Sequence, residues 1–186
     1  MPLSAPACGR KPLHERTISV QSYAREDGLF DIEAHLVDTK AYGFTLNNGE
    51  ARQAGQPLHD MYLRVTIDDQ FTIHEAEVVY DAAPYGDLCS AIAPDYKALV
   101  GMNLLRQFRH QVRERFGRTA GCTHVTELTG ILPTVAVQTL AGRRPEVPGK
   151  RPFQLDGCHA LRVGGPVVQK YYPSWYVPPG THHDGG

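Results

Sequence analysis

"RTISVQSYAREDGLFDIEAHLVDTK", residues 16–40, decides how the chain folds. Within it, Phe30, Ile32, Ala34 and Leu36 alternate with Asp31, Glu33, His35 and Val37. A period of two sends the first set to one side of a strand and the second set to the other, so residues 29–40 read as a strand with one buried face. Residues 16–25 read as a partner strand. The Glu26-Asp27-Gly28 turn between them predicts an antiparallel hairpin.

Outward from this hairpin the pattern repeats. "MYLRVTIDD" (61–69), with Met61, Leu63, Val65 and Ile67 on one face, and "FTIHEAEVVYD" (71–81) predict a second hairpin. Between the two lies a loop over 41–57 in which Gly, Asn and Gln cluster, and loops of that length are more often functional than not. Beyond 82 the period changes. Over 103–116, Leu105, Phe108, Val112 and Phe116 form one stripe and Arg106, Arg109 and Arg113 another, as in an amphipathic helix covering the sheet. A more apolar helix starts near Cys122 and runs through Val125, Leu128, Leu132 and Val135 to Leu140, with a kink expected at Pro133. A short hairpin is expected around "LRVGGPVVQ" (161–169). Strands first and helices second give the α+β class: two antiparallel hairpins in one sheet, with the C-terminal helices on one face. The expected organisation is a mobile arm (1–15), a single α+β domain (16–173) and a disordered tail (174–186).

A chain of 186 residues buries one core, and 41% hydrophobic with 21% charged residues is ordinary for a globular protein. The net charge of -1 argues against a bulk electrostatic grip on nucleic acid or anionic membrane. No apolar run reaches the roughly 18 residues a membrane span requires, and no signal-peptide core is present, so the expected address is the cytoplasm. Cys8, Cys89, Cys122 and Cys158 are scattered without CxxC spacing and read as free thiols or ligands. P-loop, GxGxxG, HExxH and GxSxG motifs are absent from the sequence.

The stretch "GRTAGCTHVTELTG" (117–130) brings Cys122, His124 and Glu127 to a helix start, where free N–H groups and the macrodipole stabilise a thiolate. The alternative reading makes Cys122 a packed thiol, His124 a cap of backbone groups and Glu127 a complement to the dipole, with no site at all. Candidate partners are His59 and Asp60 in "PLHDMYL", and Asp81, Tyr85, Asp87 and Cys89 in the loop leaving a strand. His59 and Asp60, being adjacent, face one point only if the backbone there is irregular. Asp31, Glu33 and His35 recur on the polar face of their strand, either as general acid and base or as a solvated face on which Arg64 pairs with Glu33. Cys158 and His159 adjoin, but their spacing matches no zinc finger or ribbon.

Taken together, "DGLFDIEAHLVDTK", "HDMYLRVTIDD", "AAPYGDLC", "GCTHVTELTGILPTVAVQTL" and "LDGCHALR" resemble a bacterial family catalogued as a conserved domain of unknown function, over about residues 14–173. That resemblance implies an association with catabolic gene neighbourhoods, including those for aromatic compounds. In the order of its blocks the chain is also similar to NifU-like iron-sulfur scaffolds. Asp60 falls at the scaffold Asp and Cys122 at its third Cys, whereas Leu58 replaces the first Cys, and Tyr85 stands near the second with Cys89 a turn later. This second resemblance implies a NifU-like topology and a site location, with the cluster itself lost for want of thiolates.

The expected function is therefore a small enzyme in which His59, Cys122 and His124 hold a divalent metal, zinc or iron. Glu33, His35 or Asp60 would supply the base, and Tyr85 a hydrogen bond to a developing oxyanion. The reaction would be a metal-assisted lyase or hydrolase step on a small carbonyl or aromatic compound, with the lyase preferred from the catabolic association alone. A non-catalytic metal-binding or carrier module and a metal-free acid–base enzyme using Glu33, His35 and Asp60 are the alternatives. The expected partner is a small-molecule substrate, with no nucleic acid and no membrane. A homo-oligomer is compatible with the sequence.

Overall fold

A computed structural model describes residues 3–143 and 149–178, which form two compact units, Met1–Leu140 and Ala141–Gly186. The expected single domain over 16–173 runs across that boundary. In the first unit, β1 (His14–Ala24), β2 (Phe30–Lys40), β5 (Pro57–Ile67) and β6 (Ile73–Ala82) make a four-stranded antiparallel sheet in the order β1-β2-β5-β6. The class is α+β, as the change of period requires.

Register turns the alternation of β2 into layers. Ile32, Ala34 and Leu36 lie opposite Val65, Leu63 and Met61 of β5, which in turn oppose Ala76, Val78 and Tyr80 of β6. All of the β2 and β5 members of these rows are at most 1% exposed. Each of the larger side chains, Ile32, Leu36, Met61, Leu63 and Val65, contributes about 1.5–3 kcal/mol by leaving water. After the one-turn helix α1 (Asp87–Ser90), the cover is made by α2 (Phe108–Phe116) and α3 (Thr123–Leu140), α2 packing on α3 and α3 on β1, β2 and β5. Val125, Leu128, Leu132, Ala136 and Leu140 supply its buried stripe at the expected helical spacing.

Three expectations are corrected. The amphipathic helix begins at Phe108 rather than 103, because Gln107 is left-handed (φ 53°) and the Asn103 side chain and the Leu104 amide are tied to the backbone of Gln70 and Phe71. Leu104 is buried in consequence and Leu105 is exposed. The loop over 41–57 contains a small hairpin, β3 (Phe44–Thr45) and β4 (Ala51–Arg52), with Gly49 at φ 86° in its turn. Finally, no hairpin forms around 161–169. Gly164 and Gly165 lead instead into a short helix, α4 (Pro166–Tyr171), which Pro166 opens where a missing N–H costs nothing.

β1 starts at His14, inside the expected arm, and a 3-10 turn at Pro173–Trp175 crosses from the expected domain into the expected tail. Residues 179–186 of that tail lie outside the described residues. No helix among the described residues is long and apolar enough to cross a membrane.

Candidate metal centre

At one end of the covered face the apolar rows give way to a polar one. Arg16 of β1 lies directly across from Asp38 of β2, and Asp38 directly across from His59 of β5. Opposed residues on one face have Cβ atoms about 5 Å apart, so register alone places a carboxylate between a guanidinium and an imidazole. Asp38 continues the phase of Ile32, Ala34 and Leu36 and is 2% exposed.

That carboxylate is enclosed by donors. Arg16 donates from Nε to Oδ1 and from Nη2 to Oδ2, both at 2.7 Å. Oδ1 also accepts from His14 Nε2 at 2.9 Å, and Oδ2 from His59 Nδ1 at 2.9 Å. Burial alone would raise the Asp38 pKa, but the bonds to Arg16, His14 and His59 overcome it and hold the group well below the ordinary carboxylate range. The remaining side of Arg16 pairs with Glu127 of α3.

The start of α3 completes the arrangement. The His124 ring lies 3.8 Å from that of His59 between centroids, and its Nε2 lies 3.8 Å from Asp38 Oδ2. Burial, with His124 alongside, pushes the His59 pKa below its usual value and favours a neutral imidazole. The backbone before α3 is clamped by Tyr96, whose hydroxyl accepts the Cys122 amide at 2.9 Å and lies 3.0 Å from the Cys122 carbonyl. Gly121 permits the close approach, since a Cβ there would fall 2.6 Å from the Phe116 carbonyl oxygen and 3.0 Å from the Tyr96 hydroxyl. Burial raises the Cys122 thiol, but His124, Tyr80 and the backbone N–H groups of Val125 and His124 outweigh it and bring the pKa down to about 7.

Asp38, His59 and His124 form a cluster able to hold a metal ion, with one ligand atom from each lying within 4.8 Å of the others. Of the expected ligands, His59 and His124 are brought together. Cys122 lies behind His124, its sulfur 4.0 Å from Nδ1, and Asp38 stands in the cluster where a third ligand is needed.

The expected bases lie elsewhere. His35 and Asp60 pair at 2.6 Å, with His35 stacked on Tyr62, and Glu33 approaches Arg64 at 3.5 Å. These groups follow the opposite phase of β2 and β5 and sit on the uncovered face. Tyr85 is exposed, and its hydroxyl accepts from Asn47 at 3.4 Å. In the second unit, His159 is engaged by Arg162.

Sequence reasoning passed over Asp38, Arg16, His14 and Tyr80. For Asp38 a signal existed: it is an acidic residue on the apolar phase of a strand, and such a residue is buried and must be paired. The family described as "Protein of unknown function (DUF2889)" matches residues 14–138, the span from His14 nearly to the end of α3. No curated protein and no solved structure matches the chain.

Proposed function

For a chain that belongs to the DUF2889 family, we propose a metal-dependent enzyme in which Asp38, His59 and His124 are the ligands. The observation that carries this reading is the convergence of those three ligand atoms within 4.8 Å from β2, β5 and α3. Zinc or iron is the ion that the donor set favours, and when bound it would polarise a carbonyl or acidify a water. Arg16 bonds both carboxylate oxygens, His14 also bonds Oδ1 and His59 also bonds Oδ2, so Asp38 would ligate a metal by exchanging one of these donors, the His59 N–H, for the ion. His14, nearly half exposed, is the group that links this carboxylate to solvent.

Three protein ligands leave a coordination position for substrate, which favours catalysis over a closed carrier site. The substrate would be a small carbonyl or aromatic compound, and a lyase step is preferred to hydrolysis on the catabolic resemblance alone. A metal-free acid–base enzyme is supported by a different observation. The bond from His59 Nδ1 to Asp38 is the pairing that orients an imidazole as a general base.

Elemental analysis of untagged protein tests the proposal. It requires about one zinc or iron per chain in the wild type and loss of that metal in His59→Ala and His124→Ala. A wild type without metal, or variants that keep it, would remove the metal reading, and activity that survives chelation would favour the metal-free one.

A further inference from the structure

A metal-bound imidazole keeps a proton on its second nitrogen and needs an acceptor there to fix which nitrogen is free. His124 presents Nε2 to Asp38 at 3.8 Å, and its Nδ1 lies 4.0 Å from the Cys122 sulfur. No other hydrogen-bond partner for Nδ1 is found among the described residues.

The position of that sulfur is tightly built. Cys122 donates its amide to Tyr96, and its carbonyl accepts from the Thr126 amide at 2.9 Å. Tyr96 itself is fully buried, is bonded to Thr126 and is stacked on Phe116 at 4.4 Å. On the other side stands Tyr80, on the core-facing phase of β6 opposite Met61. Its buried hydroxyl has no hydrogen-bond partner among the described residues, and it helps to lower the pKa of the Cys122 thiol. A buried hydroxyl left unpaired is costly, so an acceptor such as that sulfur suits it.

We infer that Cys122 is a positioning residue for the metal centre rather than a ligand. Its sulfur accepts Nδ1–H of His124, steadied by the Tyr80 hydroxyl, and so turns the Nε2 lone pair toward Asp38 and His59. This rests on the metal reading above. It also accounts for a cysteine and a histidine two apart at the start of α3: the cysteine orients, the histidine binds.

Cobalt(II) binding to the full chain, followed by absorption and by competition with a chelating dye, tests the inference. The wild type should bind cobalt with visible d–d bands and no near-ultraviolet thiolate-to-cobalt charge transfer. Cys122→Ala should bind roughly 10–100-fold more weakly. Cys122→Ser, which keeps an acceptor, should recover most of that loss, and apo-protein melting curves verify that both variants fold. A charge-transfer band that disappears in Cys122→Ala would make Cys122 a ligand and overturn the inference. So would an unchanged affinity in Cys122→Ala, or a Ser variant as weak as the Ala variant. Failure of the parent reading looks different: the wild type binds no cobalt, or His59→Ala binds it equally well.

Discussion

The two faces of one sheet carry nearly the same kinds of residue and put them to different uses. On the uncovered face, His35 pairs with Asp60, and Arg64 lies between Glu33 and Glu77. On the covered face, His59 pairs with Asp38, and Arg16 joins Asp38 to Glu127. Asp60 and His59 are neighbours in sequence, and a single step along β5 decides which set each joins. Asp38 is 2% exposed and Asp60 20% exposed. Charges beside water are screened and interact weakly, whereas the same charges under a helix interact strongly and cannot lose a partner cheaply. Residue type therefore does not mark the site; the face does.

The largest expected effect comes from removing the buried carboxylate. Asp38→Asn should cost about 3 kcal/mol in urea unfolding, because Arg16, His14 and His59 lose their common partner. Asp60→Asn, the matching change on the open face, should cost less than about 1 kcal/mol. Equal losses would erase the distinction between the faces. Zinc affinity should separate them in the same way: abolished by His59→Ala, retained by His35→Ala.

Acid sharpens the contrast further. Asp38 titrates lower in the folded chain than its ordinary 3.8, so its contribution is complete above that pH and is lost as pH falls from there toward the folded value. Urea midpoints measured from neutral pH down through this window should fall more steeply for the wild type than for Asp38→Asn. Parallel curves would show that Asp38 is not held by charge. The smallest effect belongs to Glu33→Gln, which should change stability by no more than about 0.5 kcal/mol, since both Glu33 and Arg64 are about half exposed.

Much of the fold was legible in the sequence because alternation in β2 and β5 is strict, and the stripe Val125, Leu128, Leu132 is equally regular. What escaped depends on tertiary context. Gln107 starts its helix from a left-handed conformation that nothing local announces, and a glycine pair before Pro166 serves a hairpin and a helix start equally well. In the candidate site, His59 and His124 were legible as residues of interest, being imidazoles at a strand and a helix start. Asp38 was hidden by its own neighbours: an aspartate two residues after Leu36 looks like the strand's polar end unless the apolar phase is carried one step further. Arg16 and His14 lie on an edge strand exposed along most of its length, where alternation carries little information. The shift of register between Asp38 and Thr39, where β5 carries an extra residue, is likewise invisible before the strands are paired.

The most direct measurement is a zinc titration followed through the imidazole nitrogen resonances of the full chain. Resonances of His59 and His124 should move together and saturate at about one equivalent, while those of His35, on the other face, stay in place. Shifts at His35 matching those at His59, or none at His59 and His124, would contradict a metal centre at Asp38, His59 and His124.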